Sequence, residues 1–120
     1  MGTARRFASL SLGLVAASAA WAHAFLDHAE PRVGSVVHAA PTRVEVWFTE
    51  DLEPAFSTLK VLDATGREVD KKDKTVPEGD RSRMSVSLAP LSPGKYRVLW
   101  RALSVDTHVS AGDFTFEVAP

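Results

Sequence analysis

Apolar residues in this chain recur at every second position rather than at every third or fourth. Within residues 42–49, Val44, Val46 and Phe48 share one face, and Trp47 and polar residues occupy the other. This alternation is typical of a β-strand that buries one face. The same pattern predicts further strands at residues 25–26, 56–62, 67–69, 84–88, 96–103 and 114–118.

Turn sequences separate these segments, at residues 64–66, 77–80 and 92–95. Proline fixes φ and glycine supplies positive φ, so both favour turns. No window has the length and apolar spacing of a globular helix. Short strands with turns between them predict an all-β domain, a small Greek-key sandwich or barrel of immunoglobulin-like type with about seven strands. The charged run at residues 70–74 is expected to be a solvated loop.

The first 22 residues have the composition of an export signal. Two arginines precede an apolar stretch at residues 7–20, and Ala20-Trp21-Ala22 has the A-x-A form of a cleavage site. The apolar stretch is shorter than the roughly 20 residues that a membrane-spanning helix needs. We therefore expect cleavage after residue 22, a domain at residues 23–120 and an exported protein. The alternative is a leader that stays in the membrane as an anchor.

Charge and cysteine content narrow the possible functions. Loss of a leader with two arginines and no acidic residue changes the formal net charge from −1 to −3. Without a stripe of lysine and arginine to follow phosphates, nucleic acid is not expected as a partner. The chain has no cysteine, so nitrogen, oxygen or thioether ligands have to hold any metal.

Cleavage would make His23 the first residue. Its α-amine and its imidazole Nδ1 together form a chelate, and both lose their protons readily near neutral pH. Downstream, Asp106 and His108 are separated by one residue. If that stretch is extended, the two side chains project to the same face and reach one ion. An amine, two imidazoles and a carboxylate suit Cu(II). Otherwise, Asp106 and His108 are only the polar end of a strand.

Several stretches carry a more specific signal. They are His23-Ala24-Phe25-Leu26, residues 31–35, residues 46–52, the long block Tyr96-Arg97-Val98-Leu99-Trp100-Arg101-Ala102-Leu103-Ser104-Val105-Asp106-Thr107-His108, and residues 112–118. Together they resemble the bacterial periplasmic copper-resistance family CopC, from residue 23 to the C-terminus. The segment at about residues 63–83 is less distinctive.

The resemblance implies a small Greek-key barrel or sandwich that binds one Cu(II) ion per chain. By position, the metal ligands of the family fall on His23, Asp106 and His108. A strand-end glutamate falls on Glu50, which is expected near the site as an axial ligand or as a hydrogen-bond acceptor that orients a ligand. The family also implies a role in copper storage, delivery or resistance, with no catalysis. A CopD-like inner-membrane copper transporter is the expected partner of a monomeric protein.

One departure from the family concerns methionine. Some members hold Cu(I) in a methionine-rich loop, whereas the mature chain here has only Met84, on the apolar face of a predicted strand. We interpret Met84 as a core residue and expect no Cu(I) site. His28 and His38 match no ligand of the family and are expected at the surface.

Two alternatives belong to other functional classes. N-terminal-histidine copper sites also activate oxygen in polysaccharide monooxygenases, so a copper-dependent oxidase is one. Those sites have no equatorial carboxylate, whereas Asp106 would occupy that position here and favour a stable Cu(II) state. The other is a metal-free sandwich for adhesion or subunit contacts, which leaves His23 and the Asp-Thr-His sequence unexplained.

Overall fold

A computed structural model describes residues 24–120 of the chain. The predicted leader, its cleavage site and His23 lie outside the described residues. The described part contains seven strands and one 3-10 turn at Pro54–Phe56. The strands are β1 Leu26–Glu30, β2 Val36–Val37, β3 Arg43–Phe48, β4 Thr58–Asp63, β5 Arg83–Ser87, β6 Gly94–Leu103 and β7 Val109–Val118. No helix within residues 24–120 is long and apolar enough to cross a membrane.

The strands form two sheets, ordered β1-β3-β5 and β2-β7-β6-β4. All neighbours are antiparallel except β2 and β7. The chain crosses between the sheets at every connection from β1 to β6, and only β6 and β7 are consecutive strands of one sheet; such crossings are typical of Greek-key sandwiches. The predicted all-β sandwich with about seven strands is confirmed.

Alternating side chains from both sheets build the core. Val44, Val46 and Phe48 of β3 are buried, and so are Met84 and Val86 of β5, as the period-2 pattern predicts. From the other sheet, Trp100 of β6 meets Phe48 edge to face, with ring centroids 5.1 Å apart. The two inner faces therefore interdigitate in the way that sandwiches pack.

Two strand predictions need correction. Residues 67–69 form no strand, only an isolated bridge between Leu62 and Glu68. In addition, β2 was not predicted, because a strand of two residues is too short to show alternation. The strand expected at residues 56–62 begins later, at Thr58. Phe56 is 62% exposed because Pro54 starts a 3-10 turn there, and proline presets the φ of a first helical position.

The charged run at residues 70–74 lies outside the strands and its central residues 71–73 are exposed, as its composition predicts, but Asp70 is buried and Lys74 half-buried. Asp70 is buried, and its carboxylate accepts hydrogen bonds from Val61 N at 2.8 Å and Lys72 N at 3.2 Å. Lys74 Nζ donates to the carbonyls of Pro54 and Ser57, the latter at 2.8 Å. Loss of hydration lowers the pKa of Lys74. Asp70 and Lys74 thus form hydrogen bonds with backbone groups that have no partner in a neighbouring strand. Composition alone does not reveal these contacts.

Candidate metal centre

The Asp-Thr-His sequence lies in the loop of the β6–β7 hairpin, at residues 104–108. It is not extended, so the condition behind the sequence-based spacing argument is wrong. Thr107 N donates to Ser104 O at 2.9 Å, and Ser104 N donates to His108 O at 3.0 Å. Thr107 has a φ of 73°, a left-handed conformation that closes the loop tightly.

The loop nevertheless brings Asp106 and His108 together. Oδ1 of Asp106 lies 3.5 Å from Nδ1 of His108, and the two side chains are 41% and 27% exposed. Both side chains are partly exposed, although Nδ1 of His108 itself is buried. The pair thus offers one oxygen and one nitrogen donor at one end of the sandwich.

Ser104 forms hydrogen bonds with both residues of this pair. It is fully buried, its Oγ donates to Oδ1 of Asp106, and the same Oγ accepts a hydrogen bond from His108 N at 3.3 Å. The Ser104 hydrogen bond is the main reason that the pKa of Asp106 lies below its usual value. Lost hydration opposes this, and a hydrogen bond with His108 adds to it. Asp106 is therefore an anionic oxygen donor at neutral pH.

The segment that follows β3 lies against this loop. Val105 N donates to Asp51 O at 3.1 Å, and the buried Leu52 forms a bridge with Ser104. Glu50 directly precedes this contact and is half-buried. Within residues 24–120, however, no three histidine or acidic side chains form a group that would hold a metal. The structure thus brings two of the expected ligands together. The carboxylate of Glu50 does not form a group of three with them.

The start of the described chain lies at the same end of the sandwich. Ala24 is fully buried, and its carbonyl accepts a hydrogen bond from Oγ of Ser110. Phe25 N donates to Oγ1 of Thr49 at 3.0 Å, and Thr49 N donates to Phe25 O at 2.9 Å. Ser110 is two residues beyond His108, so the residue that follows His23 is held close to the loop.

His28 and His38 are exposed, as expected. The ring of His28 stacks on Trp47 with centroids 4.4 Å apart, and its Nδ1 lies 2.6 Å from a carboxylate oxygen of Asp27. His38 lies in the exposed stretch between β2 and β3. Neither residue lies in a group of three metal-binding side chains within residues 24–120.

Sequence reasoning missed three hydroxyl residues at this end, Ser104, Ser110 and Thr49. A signal existed for Ser104, because serine two residues before an aspartate in a tight loop often bonds to nearby groups. None existed for Ser110 or Thr49, whose partners lie in a distant part of the chain. The donor types present, imidazole nitrogen and carboxylate oxygen, fit a divalent first-row metal such as Cu(II).

Comparisons with known proteins agree with this chemistry. The CopC domain profile matches residues 26–119. Protein YobA of Escherichia coli K12 is 38% identical over 116 residues, covering 92% of this chain and 90% of that protein. Copper resistance protein C of Escherichia coli is 38% identical over 121 residues, covering 92% and 94%. The crystal structure of CopC from Methylosinus trichosporium OB3b superposes with a TM-score of 0.77 at 33% identity, covering 82% of this chain and 95% of that one. The chain therefore belongs to the CopC family, and its function concerns copper.

Proposed function

We propose that this chain is a periplasmic Cu(II)-binding protein of copper storage, delivery or resistance, which acquires its site when residues 1–22 are removed. One Cu(II) ion per chain is bound by the α-amine and imidazole of His23, the imidazole of His108 and the carboxylate of Asp106. Glu50 acts nearby, as an axial ligand or as an acceptor that orients a ligand. The protein is not an enzyme in this proposal.

The observation that carries the proposal is the pairing of Asp106 with His108 at the end of the sandwich where Ala24 is anchored. Their donor atoms lie 3.5 Å apart, and the carbonyl of Ala24 is held by Ser110, two residues from His108. His23 is bonded directly to Ala24, and this supports its amine and imidazole as the remaining donors of the proposed site. The four donors form an N3O set, and such a set binds Cu(II) more tightly than other first-row divalent ions.

The same donor set argues for binding rather than oxygen chemistry. A carboxylate beside the imidazoles is a hard anionic donor that stabilises Cu(II) over Cu(I). A bound ion that stays in one oxidation state suits a carrier. The proposed recipient is a CopD-like inner-membrane copper transporter, and the protein acts as a monomer.

The test is a copper titration of the protein that begins at His23, compared with a version that carries one extra N-terminal alanine. In the extended version the nitrogen of His23 is a planar amide without a basic lone pair, and the chelate ring is lost. We expect one Cu(II) per chain, an EPR spectrum with nitrogen and oxygen ligands, and an affinity weaker by a few powers of ten in the extended version. Equal affinities would show that the amine is not a ligand. Hydrogen peroxide production with a reductant would instead support the oxidase.

A further inference from the structure

The N-terminal segment is tied to both sheets of the sandwich within two residues. The carbonyl of Ala24 accepts a hydrogen bond from Ser110 on β7, which belongs to the four-stranded sheet. Phe25 exchanges hydrogen bonds with Thr49, which directly follows β3 of the three-stranded sheet. We call this arrangement of Ser110 and Thr49 around residues 24–25 the N-terminal clamp.

The position of Ser110 in its strand is unusual for a polar residue. On β7 the even-numbered positions face the core, and Phe114, Phe116 and Val118 are buried there. Ser110 continues this inward face at the start of the strand. An inward hydroxyl has to find a partner, and here the partner is the carbonyl of fully buried Ala24. The serine, which is half-buried, thus forms a contact with Ala24 at the first described residue.

The clamp fixes the residue that follows His23 in the chain. Consecutive Cα atoms are about 3.8 Å apart, so a fixed Ala24 confines the preceding residue to a small volume. One arm of the clamp is two residues after His108, and the other directly precedes Glu50. The clamp therefore holds Ala24, the residue to which His23 is bonded, at the end of the sandwich that carries the hairpin loop and the segment after β3.

We propose that Ser110 and Thr49 are positioning residues for the copper site, which fix the approach of the His23 amine and imidazole before the ion binds. This inference rests on the proposed function, because it takes His23 to be a ligand. A free N-terminus would have to be ordered at each binding event, whereas the clamp orders it when the domain folds. Residues that hold metal ligands typically change metal affinity 10- to 100-fold when mutated.

The test is a double-mutant cycle that combines Ser110→Ala with one extra N-terminal alanine, in the processed protein. In the protein that begins at His23, Ser110→Ala should weaken Cu(II) binding about 10- to 100-fold and shift the EPR spectrum toward that of the extended version. Ser110→Thr keeps the hydroxyl and should restore both. In the extended version, where the amine is already lost, Ser110→Ala should add little.

Two controls separate positioning from a general loss of structure. Thr115→Ala changes an exposed residue on the same strand and should leave the affinity and the spectrum unchanged. Without metal, amide hydrogen exchange of Phe25 should be faster in Ser110→Ala than in the parent, while exchange in the β6–β7 ladder stays the same. If Ser110→Ala fails to fold, Thr49→Val removes the other hydroxyl of the clamp and serves in the same cycle.

The outcomes distinguish the two proposals. If the parent binds Cu(II) more tightly than the extended version but Ser110→Ala binds like the parent, the positioning role is wrong and the proposed site stands. An equal loss in both backgrounds would also overturn it, since the hydroxyl would then act independently of the amine. If the parent and the extended version bind equally, the proposed use of His23 fails, whatever Ser110→Ala does.

Discussion

The indole of Trp100 lies directly on Gly112, its cross-strand neighbour in the β6–β7 ladder. A Cβ at Gly112 would be 2.6 Å from Cζ2 of Trp100 and 2.9 Å from Cε2. Cβ atoms do not approach ring atoms so closely, so only glycine fits here without movement of the ring. The same ring packs on Phe48 across the sandwich, so the absence of a side chain at Gly112 allows the packing between the two sheets near the end that carries Asp106 and His108.

We expect Gly112→Ala to lower the free energy of unfolding by about 1–3 kcal/mol, because the displaced indole has to leave its packing position. Thermal or urea unfolding measures the change. Gly79→Ala is a matched control, since no atom lies within 4 Å of a Cβ at Gly79, and it should change stability by less than about 0.5 kcal/mol. Equal stability of Gly112→Ala and the parent would contradict the packing argument.

Loss of either proposed ligand in the hairpin loop should weaken copper binding much more than folding. Asp106 and His108 lie in a partly exposed loop, outside the core, so His108→Ala and Asp106→Ala each remove a donor and little packing. We expect each variant to lower the affinity for Cu(II) by a few powers of ten in a competition titration. A tenfold change in affinity corresponds to about 1.4 kcal/mol. His38→Ala, at an exposed position, should bind like the parent. An unchanged affinity in either ligand variant would show that the ligand set is wrong.

Ser104→Ala should raise the pKa of Asp106 toward its usual value, because the hydrogen bond from Ser104 is the main cause of the lowered pKa. A carboxyl whose pKa is lower in the folded state stabilises the fold above its unfolded pKa, near 4. This contribution is lost as the pH falls through the folded pKa. The variant should therefore show a smaller loss of stability between neutral pH and acid than the parent. NMR titration of the Asp106 carboxyl measures the pKa, and an unchanged value would contradict this role of Ser104.

Met84 should behave as a core residue with no part in metal binding. It is fully buried on β5, so Met84→Leu, which nearly conserves volume, should change stability by less than about 1.5 kcal/mol. Met84→Ala leaves a cavity and should destabilise by about 2–5 kcal/mol. Copper titrations should be the same for Met84→Leu and the parent. Loss of Cu(I) binding in Met84→Leu would mean that its thioether is a ligand.

Local alternation was enough to predict the strands that carry the core. In β3 and β5, each buried residue is followed by one on the other face, and this period is written in consecutive residues such as Val44, Glu45 and Val46. Hydrophobic burial depends on the face alone, so the fold class followed from it. The short strand Val36–Val37 escaped prediction because two residues contain no period.

The sequence by itself determined the all-β class, the inward faces of the strands and the residue types of the proposed site. Only the tertiary structure decided how those residues meet. The pairing of Asp106 with His108 depends on a closed hairpin loop with Thr107 in a left-handed conformation, not on an extended strand. The anchoring of Ala24 by Ser110 joins residues 86 positions apart, and the contacts of Lys74 reach back to Pro54. Such contacts form because a buried backbone group needs a hydrogen-bond partner. The partner is whichever residue the fold places beside it, and no local sequence pattern identifies that residue.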